Sequence, residues 1–366
     1  MTNQELEEER RRLGNRSSKI IGGYVTEYLF RQSFLKGKVS FSGAWWFSRT
    51  REGQVFWFVE EGKLSELDLQ IAGLLEARGQ KCYQLYLPGG TWQVCQIDTG
   101  TGWNLEDFIR QHGLERIPKF RRQVDLTEDE ILQLEKCIRY YRQENMLADL
   151  ECSIQIEDLF LNQYFYTSNI DLFVRPESGL DRMPVCLEIK FKDEFLYHGD
   201  PFFGMDCYQL ETGYSLLERA GMKIFNVVLY NGKRDASRKT TTNIFDYLER
   251  VESLQWKYAR VSRLVPYEKY FMQSRKTTFT GTQNKSRPVY CIPMGIYRNL
   301  TDMGQILQTE ELLDAEGHPF DYDAENQKRC PRCDSPLRER EGIHGKFLGC
   351  SGYPQCKYTR TWRGGW

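Results

Sequence analysis

The chain has 366 residues, of which 40% are hydrophobic and 28% charged, and a formal net charge of -1. This composition is typical of a globular protein with two or three domains. No run of about 18 apolar residues is present, and the charged first residues lack the apolar region of a secretory signal, so we expect a cytoplasmic protein without a membrane span.

Helices alternate with strands along the first third of the chain. Leu67, Ile71 and Leu75 recur at four-residue spacing, which predicts an amphipathic helix that ends at Gly79. The expected elements are helices over 1–18, 22–35 and 65–79, two strands joined by a polar turn within 43–60, and a strand over 81–87.

The remaining part of the chain continues this alternation. Thr127 is a candidate N-cap with Glu130 three residues later, the pattern of a capping box. The expected elements are a helix over 125–143, strands over 151–156, 169–175 and 182–194, a helix over 204–221, a strand over 224–230, a helix over 245–261 and a mobile loop over 273–290. Strands alternating with helices predict an α/β fold with a mixed β-sheet flanked by helices.

Two of these strands carry charged residues in a buried-looking pattern. Glu188 and Lys190 share one face of the strand over 182–194, because side chains alternate along a strand. If the preceding strand is adjacent, Asp171 can meet Glu188. Two carboxylates at close distance repel each other, and Mg²⁺ or Mn²⁺ with its oxygen ligands would relieve the repulsion. Such a metal can activate a water against a phosphodiester, with Lys190 steadying the developing charge.

The order Asp171, Glu188, Lys190 resembles the PD-(D/E)XK nuclease superfamily over about 100 residues. The resemblance implies a restriction-endonuclease-like fold in which Asp171 and Glu188 bind Mg²⁺ and Lys190 is catalytic. It also implies a glutamine on the following helix, and Gln209 is placed to orient the water. The residue directly before Asp171 is not the proline of the family motif. The sequence interval from Gln209 to Tyr214 is also one residue longer than the exonuclease-like branch of the superfamily leads us to expect.

The same superfamily often takes a further acid from an earlier element. Glu151 and Glu157 are the candidates, and we take Glu157 as the additional Mg²⁺ ligand. The corresponding domain prediction is an N-terminal α/β domain over 1–122, a nuclease-like domain over 123–265, a polar loop and acidic linker over 266–326, and a zinc finger over 327–366.

Four of the 11 cysteines cluster near the end of the chain. They are Cys330, Cys333, Cys350 and Cys356. Four thiolates suit tetrahedral Zn²⁺, and a closed site of this type is structural. The other seven lie mostly in apolar patterns and are interpreted as reduced core residues, consistent with a reducing compartment. His344 could compete as a ligand, although four cysteines suffice.

This basic terminal segment closely resembles the C-terminal zinc fingers of type IA DNA topoisomerases, over about 35 residues. The resemblance implies binding of single-stranded or unwound DNA. Aromatic rings amid basic side chains provide stacking faces and backbone charge. The candidate DNA-binding residues are Lys346, Tyr353, Lys357, Tyr358 and Arg360. Phe347 is expected to cover the zinc instead.

Residues 60–90 echo the region from Glu188 onwards. Glu61 and Lys63 match the acid and lysine of that region, followed in both cases by a helix and an apolar strand. The preceding strand has no aspartate. The first half could therefore be a degenerate nuclease-like copy, or the likeness could be that of any helix-to-strand unit.

The preferred hypothesis is a Mg²⁺-dependent deoxyribonuclease with a DNA-binding zinc finger, in restriction, phage defence or repair. The alternative is a non-catalytic DNA-binding adaptor with a decayed nuclease fold, and RNA is a third possible substrate. A helicase or ATPase partner is considered. The sequence predicts no membrane partner and leaves the oligomeric state open.

Overall fold

The computed structural model of the protein describes residues 3–12, 18–35, 39–43, 45–60, 62–117, 128–144, 147–176, 182–192, 194–231, 254–273, 286–343 and 345–361. The described α-helices are α1 (Asn3–Arg12), α2 (Ser18–Phe34), α3 (Glu66–Glu76), α4 (Leu105–Gln111), α5 (Glu128–Gln143), α6 (Leu147–Ile156), α7 (Asn162–Tyr164), α8 (Cys207–Gln209), α9 (Ser215–Arg219), α10 (Met303–Gln308) and α11 (Tyr322–Gln327). π-helical turns join α6 to α7 (Glu157–Leu161) and α8 to α9 (Leu210–Tyr214).

The described strands form four sheets. In chain order they are β1 (Val39–Ser42), β2 (Trp45–Arg49), β3 (Val55–Glu60), β4 (Cys82–Tyr86), β5 (Gln93–Gln96), β6 (Gly102–Asn104), β7 (Tyr166–Ile170), β8 (Leu172–Pro176), β9 (Val185–Phe191), β10 (Phe195–Tyr197), β11 (Asp200–Asp206), β12 (Lys223–Asn231), β13 (Leu254–Val261), β14 (Lys269–Gln273), β15 (Ser286–Pro293), β16 (Arg298–Asn299), β17 (Leu337–Gly342), β18 (Gly345–Cys350) and β19 (Thr359–Thr361). The mixed α/β class expected from the sequence is confirmed.

We call the sheet in the order β1-β8-β9-β12-β13-β16 the central sheet. Its strands β9 and β12 are parallel, and the other neighbours are antiparallel. Alternate side chains of these strands fill apolar layers on the two faces, so the middle strands are apolar along most of their length. This burial fixes the register, because a slip of one residue would turn every side chain to the other face.

The N-terminal sheet has the order β6-β5-β4-β3-β2-β7. Strands β3 and β4 are parallel and are connected through α3, whose N-cap Ser65 forms a capping box with Asp68. The predicted hairpin within 43–60 and the predicted helix over 65–79 are therefore confirmed. Gly79 has a φ of 75°, a backbone conformation that glycine adopts without strain, which explains why the chain leaves the helix there.

Two smaller sheets complete the fold. The hairpin sheet has the order β10-β11-β15-β14; its strands β10 and β11 come directly after β9 in the chain. The ribbon sheet, β17-β18-β19, forms the C-terminal module. Among the described residues, no helix has the length and apolarity needed to span a membrane.

Several predicted elements are wrong. Residues 151–156 lie in α6 and not in a strand, because Leu150 and Ile154 follow helical spacing and pack on Ile138 of α5. Residues 254–261 of the helix predicted over 245–261 form strand β13, which pairs along its whole length with β12. The rest of that predicted helix lies outside the described residues.

Two further predictions need correction. The helix predicted over 204–221 begins only at Cys207, because Asp206 ends β11 and caps α8 by accepting from the N–H of Tyr208. The loop predicted over 273–290 contains the start of β15; residues 274–285, like Thr127, lie outside the described part.

Strand pairing crosses the predicted domain boundaries. β1 joins the central sheet, β7 joins the N-terminal sheet, and β16 extends the central sheet from within the predicted linker. Phe320 and Tyr322 of that linker also pack against the main apolar core. Described residues of the segment over 266–326 thus pair with strands of the core or pack against it.

Candidate functional site

A break between β7 and β8 positions Asp171. Residues 169–175 form two strands and not the predicted single one, and Asp171 is the residue at which the chain passes from the N-terminal sheet to the central sheet. Its side chain is 2% exposed and points at the neighbouring strand β9, where its Oδ2 accepts from the N–H of Ile189 at 2.6 Å.

Lys190 joins the two predicted acids. Its Nζ lies 2.7 Å from Asp171 Oδ2 and 3.0 Å from Glu188 Oε1. Burial first, and then repulsion from Glu188, raise the pKa of Asp171 to about 7. Burial alone would lower the pKa of Lys190, but the charges of Asp171 and Glu188 outweigh it and raise that pKa. The structure therefore brings together the three residues that the sequence singled out.

Glu27, an acid on α2 that the sequence pattern did not indicate, lies near this cluster as well. Burial, followed by the charge of Asp171, raises the pKa of Glu27 well above its ordinary value, against the opposing charges of Lys190 and Arg31. Helix α2 packs along β9. Position 27 lies far from the motif in sequence, so its only signal was an acid on a largely apolar helix.

The two acids predicted for this role have other contacts. Glu157 accepts a hydrogen bond from Tyr24 at 3.2 Å. Glu151 interacts with Glu9, which after burial contributes to its raised pKa. Glu27 is thus a further acid whose pKa responds to the charges of Asp171 and Glu188, and the assignment of Glu157 as a Mg²⁺ ligand stays a prediction.

Tyr214 is a second residue of the cluster that the sequence pattern did not indicate. Its hydroxyl donates to Glu188 Oε2, and burial, then the charge of Glu188, raises the Tyr214 pKa. Gln209 does not reach the acids and donates instead to Ser168 Oγ of β7 at 3.1 Å. The π-helical turn Leu210–Tyr214 lies between them. Such a turn takes up one extra residue, which accounts for the longer interval noted between Gln209 and Tyr214.

Lys192, the residue after β9, also lies near this cluster. Its Nζ donates to the carbonyl oxygen of Gly204 on β11. Burial lowers its pKa to about 8, opposed by the charge of Glu188. A second lysine therefore lies near the acids, although its contact is with the Gly204 carbonyl oxygen.

The acid cluster offers oxygen donors of the kind that Mg²⁺ prefers. Asp171 and Glu188 are each 2% exposed, and buried carboxylates of like charge are costly without a cation. The Lys190 ammonium lies between these two carboxylates. The donor chemistry fits a divalent cation. Among the described residues, however, no three acids have their oxygen atoms as close together as the four cysteine Sγ atoms are.

The four predicted cysteines converge at the other site. Their Sγ atoms all lie within 4.8 Å of one another, with 3.7 Å between Cys330 and Cys356 and 3.2 Å between Cys333 and Cys350. A tetrahedron with Zn–S bonds of about 2.3 Å has edges of about 3.8 Å. The thiols therefore fit one structural zinc ion. His344 lies outside the described residues.

The faces of the ribbon sheet reverse one prediction. Leu337, Leu348 and Tyr358 pack with the cysteines. Phe347 lies on the opposite face from Leu348, because neighbouring residues of a strand alternate; it pairs with Arg340 on β17. The expectation that Phe347 covers the zinc is thus wrong, and Tyr358 is the aromatic residue that packs with the cysteines.

The remaining candidate DNA-binding residues surround this sheet. Tyr353 is 60% exposed, with the Arg340 guanidinium 5.8 Å from its ring centroid. Lys346 forms a 2.5 Å ion pair with Glu339. Lys357 is exposed and Arg360 is partly exposed. The exposed side of the ribbon therefore combines aromatic rings with basic groups.

The ribbon is held against the core by a buried ion pair. Asp334 is the residue that follows Cys333, and its Oδ1 lies 2.9 Å from Arg263 Nη2. The Arg263 side chain is 5% exposed. Its Nε lies 3.6 Å from Glu218 Oε2. Burial raises the pKa of Glu218 to about 7, against the charge of Arg263. The zinc knuckle thus contacts the core directly.

Comparison with known proteins identifies the ribbon. Residues 327–363 match the family described as topoisomerase DNA binding C4 zinc finger. An uncharacterized protein of Haemophilus influenzae is 46% identical over 39 residues, which are 11% of this chain and 22% of that protein. The uncharacterized protein YrdD of Escherichia coli is 49% identical over 39 residues, with the same coverage.

A DNA topoisomerase 1 of Methanocaldococcus jannaschii is 58% identical over 35 residues, which are 10% of this chain and 5% of that enzyme. The chain thus spans less than a quarter of the curated relatives described here. No solved structure matches. The comparisons characterise the ribbon, and the nuclease resemblance stays a prediction from the sequence.

Proposed function

We propose that the protein is a metal-dependent deoxyribonuclease with a restriction-endonuclease-like core, whose zinc ribbon binds single-stranded or unwound DNA. The observation that carries the proposal is the pair of buried carboxylates, Asp171 and Glu188, around Lys190, with the partly buried Glu27 near enough for their charges to raise its pKa. Three acids with one shared lysine destabilise a fold, and such perturbed groups concentrate at functional sites.

In this proposal Asp171, Glu188 and Glu27 would hold Mg²⁺ or Mn²⁺, and the bound ion would supply an activated water and stabilise charge on the phosphodiester. Lys190 donates to the non-bridging oxygen that gains charge, or holds the attacking water. Tyr214 fixes the carboxylate of Glu188 through its hydroxyl. Gln209, through Ser168, has a positioning role at most.

The test is hydrolysis of plasmid, single-stranded DNA and RNA with Mg²⁺ or Mn²⁺. Lys190→Ala should lower cutting by at least about 100-fold, the scale of losing one transition-state charge contact. Lys63→Ala is the matched control, because Lys63 occupies the corresponding position of the sequence echo and is exposed. Equal cutting by Lys190→Ala and wild type would contradict this site.

The alternative is the non-catalytic DNA-binding adaptor, favoured if the wild type cuts none of the three substrates. Hydrolysis of RNA alone would replace DNA as the substrate while keeping the site.

DNA binding is assigned to the exposed face of the ribbon. Phe347→Ala should weaken binding of a single-stranded oligonucleotide by about 1–3 kcal/mol, the usual contribution of one stacked base. Fluorescence anisotropy at fixed salt measures this. Phe271→Ala, which truncates a phenylalanine 57% exposed on β14, should leave affinity unchanged; equal losses in both variants would argue against the ribbon face.

A further inference from the structure

The two large sheets share one pattern of strand directions. The central sheet reads antiparallel, antiparallel, parallel, antiparallel, antiparallel from β1 to β16. The N-terminal sheet reads the same from β7 to β6. In both, the parallel pair is separated in sequence by a helix, although the second half also inserts the β10–β11 hairpin. The sequence echo is thus accompanied by an equivalent topology.

The strand registers relate the two halves residue by residue. If Ser42 of the first half is equivalent to Ile170 of the second, then Trp45, three residues later, is equivalent to Phe173. Exchanging each residue for its equivalent turns the pair Trp45–Ile170 into the pair Phe173–Ser42, and both pairs exist. The other pairs that it interconverts are Trp46–Asn169 with Val174–Phe41, Phe47–Ser168 with Arg175–Ser40, and Ser48–Thr167 with Pro176–Val39. Two separate pairings obey one pseudo-twofold relation.

The first strands of the two halves are exchanged. β1 belongs to the first half but pairs with β8, and β7 belongs to the second half but pairs with β2. The equivalent residues Trp45 and Phe173 meet where the two segments of the chain cross between the sheets, with ring centroids 5.9 Å apart. The site around Asp171 therefore combines residues of both halves. Glu27 lies on α2, which precedes β1 in the first half, whereas Asp171 and the residues of β9 belong to the second half.

The same relation identifies the counterpart of Asp171. It is Gly43, which directly follows β1 as Asp171 directly follows β7. A Cβ at Gly43 would overlap the Arg31 guanidinium, which fills this space. Pairing of Trp45 with Val59 and of Phe173 with Cys186 makes Glu61 and Lys63 the counterparts of Glu188 and Lys190. Lys63 is exposed, and Glu61 lies outside the described residues.

The carboxylate of Asp68 near this second position is used for structure. It accepts from the backbone and hydroxyl of Ser65 at 2.8 and 2.6 Å, from Trp45 Nε1 at 3.1 Å and from the Ser42 hydroxyl. These contacts cap α3 and secure the strand crossing. Asp68 is thus committed to these contacts, and the space beside Gly43 is filled by the Arg31 guanidinium, whereas the first position has the carboxylate of Asp171.

We propose that the protein is an internal pseudo-dimer with exchanged first strands and a single competent site, so that it cuts one strand of DNA per binding event. This inference rests on the proposed nuclease function. One such site hydrolyses one phosphodiester, and the strands of a duplex are antiparallel, so the second strand requires release and rebinding in the opposite sense.

The strand claim is tested with supercoiled plasmid in large excess over protein, with Mn²⁺. We expect open circles and no linear product, since each plasmid meets at most one protein. Linear product forming together with the first open circles would overturn the claim. Absence of any cutting would refute the proposed function, and the strand claim with it.

The exchange itself has a test that does not depend on activity. A protease site replaces residues 118–127 of the full chain, and the purified protein is cleaved there. The two fragments should co-elute in native size exclusion and separate only in denaturant, because each half supplies a strand to the sheet of the other. Fragments that separate under native conditions would overturn the exchange, whatever the plasmid result.

Discussion

Replacing Asp171 with asparagine should abolish cutting and, at the same time, stabilise the metal-free protein above pH 7. Burial and then repulsion from Glu188 raise the pKa of Asp171 to about 7 from 3.8, although Lys190 and the N–H of Ile189 favour the charged form. The ionised carboxylate therefore costs stability when no cation is bound. Asparagine removes that charge and keeps an oxygen for the N–H of Ile189.

The magnitude and the pH window follow from the raised pKa. One pKa unit corresponds to about 1.4 kcal/mol, so the full difference is roughly 4 kcal/mol. Because the folded state holds the proton more tightly, the contribution of Asp171 is most favourable below about pH 4 and is lost as the pH rises to about 7. Relaxation around the charge reduces its cost, so we expect Asp171→Asn to gain about 1–3 kcal/mol at pH 8 and almost nothing near pH 4.

Urea unfolding with chelator at pH 4.5 and pH 8 measures this difference. Asp200→Asn is the matched control, since Asp200 is exposed in the hairpin sheet and should have no effect at either pH. The reasoning is refuted if Asp171→Asn is less stable than wild type at pH 8, or if its gain is independent of pH. Adding Mn²⁺ should reverse the order, because only wild type has the full set of acids.

The other expectations concern both sites. Metal analysis should find one zinc per chain, and Cys356→Ser should lower that content together with DNA affinity; an unchanged zinc content would contradict the four-thiol site. Arg263→Ala should destabilise the protein by about 3 kcal/mol in urea unfolding, because it leaves Glu218 and Asp334 without their shared cation, whereas loss of the exposed Arg338 should cost little. Tyr214→Phe should slow cutting about 10-fold with an unchanged fold by circular dichroism, and a wild-type rate would show that the hydroxyl does not matter.

Local signals in the sequence were sufficient where a motif is short and its partners are near. The spacing of the four cysteines predicted their convergence, and the alternation along β9 predicted that Glu188 and Lys190 share a face. Signals failed where a distant partner decides. Residues 254–261 pattern like a helix, but β12 offers a full-length strand partner, and tertiary pairing outweighs local propensity. Glu27 was missed for the same reason, since nothing local links it to Asp171.

The exchange of β1 and β7 explains why the domain boundaries could not be read from the sequence. A boundary drawn between successive segments assumes that each half folds on its own elements. Here the chain passes between sheets at Gly43 and again at Asp171, so each half is completed by the other. The strand crossing also places Asp171 at a break in the strand, where its carboxylate can turn towards Lys190. The irregularity that obscured the domains is thus the one that builds the candidate site.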